Sequence, residues 1–410
     1  MGNHTSRLEQ RKRNKSLISD LSSGVEGPVI RLFLVGNGGV GKSTIIKQMQ
    51  KLCLIFPTEY QIFDQEWKPM PNPMSIEERC KFNTLVHQNV CKTVGALLER
   101  AQEAGYEFET ESLRNLAKEV QETVGDWRTV HHRATTVSTE LAEKISQLLA
   151  RADSPLRRVF DSPEMPHSAE YFLKGAKLKQ ITEANYVPTV DDILRIRNPT
   201  TQPNKYNFRI NRTCFMVQDT GGQNVEKARL PQYIDNWLDA SKVGDRNYIL
   251  FVASLAEYNT PLHNHPGYTS LHQSVGLLKI LFDMQSLRHC GFIVFLNKLD
   301  VYERKMQTFN DMSDHYPKLW QMMKEKLERP TARRRLMRSP STSSGPISDV
   351  EIGKQIINMI FNDALQASRR SNKRLYFRYT TAVDTKMMEA IFAVVIDDLR
   401  HDVVDETVAS

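Results

Sequence analysis

Short apolar runs and long periodic stretches occupy different parts of the chain, and they predict different architectures. Leu32–Val35, Thr213–Val217, Tyr248–Val252, Phe292–Leu296 and Leu375–Tyr379 are brief, largely apolar runs. Runs of that kind predict strands buried on both faces, as in a parallel sheet covered by helices. From about Phe56 to Asn185 the period changes. Pro57, Pro69, Pro71 and Pro73 suggest a linker, and Ser75-Ile76-Glu77-Glu78 reads as a capping box. After it Phe82, Val86, Val90, Val94 and Leu97 recur at helical spacing. Leu113–Val124, Val137–Leu149 and Ala169–Ile181 are expected to be helical too, with no strand among them. A closing helix carries Met387, Met388, Ile391, Phe392, Val395 and Leu399 on one face. The expected fold class is therefore α/β. A mostly parallel, doubly wound sheet would be built from 29–56 and 186–402, with an inserted all-helical domain at 57–185. Residues 1–28 form an N-terminal segment, 329–348 a disordered Ser/Pro/Arg-rich insertion, and 403–410 a C-terminal tail.

Composition adds constraints rather than a different fold. Hydrophobic residues make up 40% of the 410, and no run approaches the about 18 apolar residues of a membrane span. Cys53, Cys80, Cys91, Cys214 and Cys290 lack C-x-x-C spacing, which predicts reduced thiols and no zinc site. The net charge of +7 is concentrated near the N-terminus and around 324–338. That pattern suits local anionic partners, and no nucleic-acid motif accompanies it. Met1-Gly2-Asn3-His4-Thr5-Ser6 fits the acceptor pattern for N-myristoylation at Gly2, and Arg7, Arg11, Lys12, Arg13 and Lys15 follow. One acyl chain plus a basic cluster gives the two signals needed to hold an anionic membrane surface.

The strongest chemical signal is Gly36-Asn37-Gly38-Gly39-Val40-Gly41-Lys42-Ser43-Thr44, which fits G-x-x-x-x-G-K-[ST]. It lies between a predicted strand and Thr44–Met49, which reads as a helix. Glycines let successive N–H groups point at an anion, and the helix N-terminus adds partial positive charge. Lys42 would reach the β- and γ-phosphates, and the Ser43 hydroxyl would bind Mg²⁺. Three later strands also end on polar motifs. Asp219-Thr220-Gly221-Gly222 supplies a carboxylate for Mg²⁺, through water, and a Gly222 N–H for the γ-phosphate. Asn297-Lys298-Leu299-Asp300 supplies an acid that can accept both N–H donors of guanine, while the lysine stem lies along the base. Thr381-Ala382 would complete the base pocket. Ligands of open α/β sheets bind beyond the carboxyl ends of the strands, so the four motifs converge. Asp300 favours GTP over ATP, because adenine would leave the acid unpaired; a P-loop ATPase is the alternative that this residue discriminates.

Taken with these motifs, Tyr186-Val187-Pro188-Thr189-Val190-Asp191-Asp192-Ile193-Leu194-Arg195-Ile196-Arg197-Asn198-Pro199-Thr200-Thr201 resembles the first switch of heterotrimeric G-protein α subunits. The resemblance implies a Ras-like P-loop GTPase domain carrying a helical insertion. It implies that Arg197 is a built-in arginine finger, that Thr200 is a second Mg²⁺ ligand, and that Gln223 orients the attacking water. Leu194 and Arg195 would lie near the nucleotide. The implied function is a signalling switch that hydrolyses GTP to GDP at the cytoplasmic face of the plasma membrane. Its partners would be a βγ dimer, a G-protein-coupled receptor and an effector. The chain departs from the family in places. Gly39 stands where the family carries an acid that clasps the switch arginine, and Asn224–Leu230 lacks the family's tryptophan. The tail from Asp402 does not resemble the usual C-terminus. These departures keep open a second reading, a nucleotide-binding scaffold with little turnover or independent of a βγ dimer.

Overall fold

The computed structural model describes residues 29–71, 73–125, 136–150, 154–160, 168–198, 203–220, 228–262, 265–328, 348–366 and 374–409. Gly2 and its basic cluster, Thr200, Gly222, Gln223 and the insertion at 329–347 lie outside these residues. Seven strands form one sheet: β1 Ile30–Val35, β2 Tyr60–Phe63, β3 Asn204–Ile210, β4 Thr213–Asp219, β5 Arg246–Ser254, β6 Gly291–Asn297 and β7 Leu375–Tyr379. Their order is β2-β3-β4-β1-β5-β6-β7. The pairings from β4 through β7 are parallel, and those of β2 with β3 and β3 with β4 are antiparallel. The fold is the expected mostly parallel α/β sheet.

Side chains on β1 alternate between two cores, as strand geometry requires. Ile30, Leu32 and Leu34 pack with Ile45, Met49 and Leu52 of helix α1 (Lys42–Ile55), and with Met388, Phe392 and Leu399 of the closing helix. Phe33 and Val35 face the other side. There they meet Trp237, and Leu278 and Ile356 belong to the same cluster. With helices on both faces, the chain buries near-continuous apolar strands.

A third apolar cluster belongs to the segment between β2 and β3. Its helices are α2 Ile76–Cys80, α3 Asn83–Glu103, α4 Glu111–Val124, α5 Thr139–Ala150, α6 Pro155–Phe160, α7 Ala169–Phe172, α8 Gly175–Ile181 and α9 Val190–Arg195. In α3, Val86, Val90, Val94 and Leu97 are fully buried and form the stripe that the spacing predicts. Two expectations need correction. Residues 57–185 are not free of strand, because β2 lies inside that range and joins the edge of the sheet against β3. Residues 169–181 are not one helix. Lys174 takes an extended conformation (φ −61°, ψ 131°), ending α7 and starting α8 at Gly175.

Beyond the sheet's other strands lie α10 Leu230–Asp239, α11 Ser270–Asp283, α12 Leu299–Thr308, α13 Met312–His315, α14 Pro317–Glu328, α15 Asp349–Gln366 and α16 Thr385–Ala409. Among the described residues, no helix is long and apolar enough to cross a membrane.

Candidate functional site

The site begins where β1 stops. Gly36 and Gly41 have φ of 154° and 110°, and both are closely approached from the sheet. A Cβ on Gly36 would stand 2.1 Å from the Val252 carbonyl oxygen, and one on Gly41 would stand 2.2 Å from Asn297 Nδ2. The glycines are therefore required by contact as well as by conformation. Gly41 is the N-cap of α1, and no side chain caps that terminus; a helix N-terminus is where backbone N–H groups can receive an anion. Val40 is buried, while Gly38 and Gly39 are exposed. Lys42 is 6% exposed, and its ammonium donates to the carbonyls of Gly36 (2.9 Å) and Asn37 (3.0 Å). A buried lysine wrapped in its own loop's carbonyls is poised to exchange them for phosphate oxygens. Ser43 follows at the second position of the helix.

Gly39 has open space for a Cβ, but its φ is 78°. An L residue in that region costs about 1–2 kcal/mol, against about 0.2–1 kcal/mol that an exposed ion pair returns. The loop is shaped for glycine here, and an acidic clasp would be formed at the expense of strain.

The other strand ends converge on the same edge. Leu34 pairs with Asp219 across β1 and β4, and Ser254 pairs with Asn297 across β5 and β6. Asp219 closes β4 at 2% exposure. Asn297, 1% exposed, joins two loops. Its Nδ2 donates to the Val40 carbonyl (2.8 Å), and its Oδ1 accepts from Thr380 Oγ1 (3.0 Å) and the Ala382 N–H (3.0 Å). The Asn297 amide is thus a strut between the phosphate loop and the Thr380–Ala382 loop. Thr381 and Ala382 are buried beside it. Lys298 adopts φ 62°, a left-handed conformation uncommon for a non-glycine residue. Burial pushes its amine down to about 8; Glu257 and Asp300 raise it, and the nearby Arg197 guanidinium lowers it further. An anion entering between Arg197 and Lys298 would relieve that repulsion. Asp300 is exposed in the first turn of α12.

The connector between β2–α8 and β3 is gripped from both sides. From α1, Thr44 Oγ1 donates to the Leu194 carbonyl (3.4 Å), Lys47 Nζ to the Ile193 carbonyl (2.9 Å), and Lys51 pairs with Asp191 (2.9 Å). Burial pushes the Lys47 amine down to about 8. Leu194 itself is buried, and Arg195 lies over the Tyr171 ring at 4.4 Å. On the helical side, Arg79 donates to the Pro188 carbonyl (2.9 Å) and Asn83 to that of Tyr186 (3.1 Å). Arg197, two residues beyond α9, has an exposed side chain. Farther along the edge, Arg304 of α12 pairs with Glu170 of α7.

At the connector's centre is Asp192, fully buried and not singled out by motif reading. Its oxygens accept from Lys177 Nζ (2.6 Å), Tyr171 OH (2.6 Å), Tyr186 OH (2.7 Å) and the Thr189 N–H (2.7 Å). The sequence signal was the Thr189-x-x-Asp192 spacing, which the structure shows to be a complete capping box at the start of α9. Burial alone would raise the Asp192 pKa, but Lys177, Tyr171, the Thr189 N–H and Tyr186 more than offset this and hold it below its ordinary value. A depressed folded pKa means the stabilisation is fully present above the unfolded value near ~4 and is lost as pH falls below it. Breaking a buried pair of this kind costs about 3 kcal/mol. Urea unfolding of Asp192→Asn should therefore trail wild type by a similar gap at pH 7 and pH 5. The gap should narrow only below about pH 4; a gap that closes between pH 7 and pH 5 contradicts the assignment.

Among the described residues, Ser43 through its hydroxyl and Asp219 through its carboxylate could hold Mg²⁺. Hard oxygen donors, few in number and supplemented by water and phosphate, are what that ion prefers.

Comparison with known proteins agrees with this geometry. The family model described as G-protein alpha subunit matches residues 4–399. The guanine nucleotide-binding protein subunit alpha-15 of Homo sapiens is 26% identical over 389 residues, covering 92% of this chain and 88% of the relative. The alpha-1 subunit of Caenorhabditis elegans is 26% identical over 406 residues, covering 97% of each. The alpha-15 subunit of Oryctolagus cuniculus is 27% identical over 390 residues, covering 92% and 88%.

Proposed function

Because the chain belongs to the G-protein alpha-subunit family, whose members bind and hydrolyse GTP, we propose that it is a signalling switch whose chemistry is divided among the residues at this sheet edge. The observation that carries the reading is the Asn297 strut, which ties the phosphate loop to the Thr380–Ala382 loop and so supports a base site held beside a triphosphate site. Backbone N–H groups of Gly36–Thr44 and the Lys42 ammonium hold the phosphates, with Gly222 N–H at the γ-phosphate. Asp300 accepts the N1 and N2 hydrogens of guanine, and the Lys298 stem covers the base. Ser43, Thr200 and, through water, Asp219 would hold Mg²⁺, which supplies charge neutralisation at the phosphate oxygens when bound. Gln223 orients the attacking water in line with the leaving oxygen, and Arg197 balances the charge on the equatorial oxygens. Loss of the γ-phosphate then frees the contacts at Thr200 and Gly222, and the segments that carry them relax.

In this reading the GDP form binds a βγ dimer, a G-protein-coupled receptor promotes exchange, and the GTP form engages an effector. The test is a pull-down with the protein loaded with GDP or with a non-hydrolysable GTP analogue. Expected is βγ retention with GDP and its release with the analogue. Identical partners in both states would contradict the switch. The scaffold reading draws support from Gly39, where no acid clasps the arginine. Lys42, Ser43, Arg197, Thr200 and Gln223 are all present and weigh against it.

Attachment to the cytoplasmic face of the plasma membrane is assigned to a myristoyl group on Gly2 together with Arg7, Arg11, Lys12, Arg13 and Lys15. Gly2→Ala should move the protein to the soluble fraction. Neutralising Arg11, Lys12 and Arg13 should weaken binding to anionic vesicles by about 1 kcal/mol per charge. A Gly2→Ala protein that still sediments with membranes would place the anchor elsewhere.

A further inference from the structure

Arg197 has its main chain fastened to the helical segment, by a residue that no motif points to. Asn89 lies in the middle of α3, 7% exposed, on the face that also carries the buried Val86 and Val90. Its Oδ1 accepts the Arg197 N–H (2.8 Å), and its Nδ2 donates to the Arg197 carbonyl (3.2 Å) and to the Leu85 carbonyl (2.9 Å). An acceptor facing an N–H and a donor facing two carbonyls fix which way the amide points. Asparagine is a poor residue for a helix interior, and a buried amide is tolerated only when its hydrogen bonds are made. Here the two bonds made outside the helix both go to one residue, 108 positions away in the chain. Next to that residue, Ile196 is 4% exposed and packs into the helical core with Val86 and Val90. Thr44 and Lys47 of α1 bind the connector at Leu194 and Ile193. The arginine end is held by α3.

We propose that Asn89 is a positioning residue for GTP hydrolysis: its side-chain amide clamps both main-chain groups of Arg197 to helix α3, so that the guanidinium is aimed only while the helical segment is docked. The inference rests on the arginine-finger reading of Arg197 given above. A side chain as long as arginine amplifies small backbone shifts at its tip, and misplacing a catalytic group by an ångström costs on the order of a hundredfold in rate. Phosphate and base contacts lie on other elements, so nucleotide affinity should be spared.

The experiment is a double-mutant cycle in the full chain: wild type, Asn89→Ala, Arg197→Ala and the double variant. Single-turnover GTP hydrolysis and affinity for a non-hydrolysable GTP analogue are measured for each. Expected for Asn89→Ala is hydrolysis slowed about tenfold or more, with analogue affinity changed by less than about threefold. In the Arg197→Ala background, Asn89→Ala should slow hydrolysis by less than about twofold, because groups acting as one unit are not additive. A purely structural asparagine would instead lower affinity or give additive losses. If Arg197→Ala hydrolyses like wild type, the arginine reading fails. If Arg197→Ala is slow but Asn89→Ala is not, or its loss is additive, the positioning role fails. Asn89→Asp keeps the acceptor for the Arg197 N–H and loses both donated bonds. With a carboxylate oxygen then facing the Leu85 and Arg197 carbonyls, it should slow hydrolysis at least as much as Asn89→Ala, and it decides the matter by the same criteria should the alanine variant not load with nucleotide.

Discussion

Arg197→Ala should hydrolyse GTP about 10³-fold more slowly than wild type in a single turnover, at the lower end of what a cis or trans arginine finger supplies. Affinity for a GTP analogue should change little. Little covalent help is available in phosphoryl transfer, so the rate depends on charge stabilisation of equatorial oxygens that repel one another. Arg197 is exposed just beyond α9, and close enough to Lys298 to depress its amine. Arg197 and Lys298 are therefore near enough to interact, and Lys298 directly follows the Asn297 strut. Gln223→Leu should produce a loss of similar kind, because water would no longer be held in line. Wild-type rates from either variant would remove that residue from the mechanism, and analogue binding lost in parallel with turnover would reassign it to ground-state binding.

Asp300→Asn should weaken GTP binding by roughly 10²–10⁴-fold, since two charge-assisted hydrogen bonds of about 1.5–3 kcal/mol each are replaced by a poorly matched amide. The same change should favour xanthosine triphosphate, whose C2 oxygen needs a donor where guanine's amino group needed an acceptor. Asp300 is exposed at the start of α12, while the adjacent Asn297 is buried and bonded to Val40, Thr380 and Ala382. The two residues of the motif are thus expected to separate in function. Asp300 would read the base, whereas Asn297→Ala should disturb phosphate and base loops together and lower affinity for all nucleotides. Competition titrations with GTP, XTP and ATP measure this. Unchanged preference in Asp300→Asn would show that another group reads the base.

How much of this was legible in the sequence depends on whether the interaction is local. β1, β4, β5, β6 and β7 were readable because they are inner or helix-covered strands with near-continuous apolar runs. β3 lacks such a run: Lys205, Asn207 and Arg209 alternate with Tyr206, Phe208 and Ile210, the period-two pattern of a half-buried strand rather than of a covered one. β2 has only four residues, set among proline and acidic residues, and is identified by its pairing with β3 rather than by any pattern of its own. The phosphate loop is a local motif, and its context could be checked on either side. Asn89 acts across 108 positions of sequence, and Asp192 gathers partners from three separate turns of the chain, Tyr171, Lys177 and Tyr186. Their only signals were a threonine three residues before the aspartate and an amide on a helical face that also carries Val86 and Val90. Asn297 was recognised as part of a base-binding motif, but its bond to Val40 became visible only when the two loops were brought together. The strained conformation of Lys298 likewise has no signature in residue type.

The central claim is a GTP-specific hydrolytic switch, and single-turnover release of inorganic phosphate from protein preloaded with γ-labelled GTP tests it most directly. The account predicts Mg²⁺-dependent release of one phosphate per bound nucleotide, blocked when excess GDP competes during loading and unaffected by excess ADP or ATP. Stoichiometric GTP binding with no phosphate released, or equal loading and hydrolysis of ATP, would contradict it.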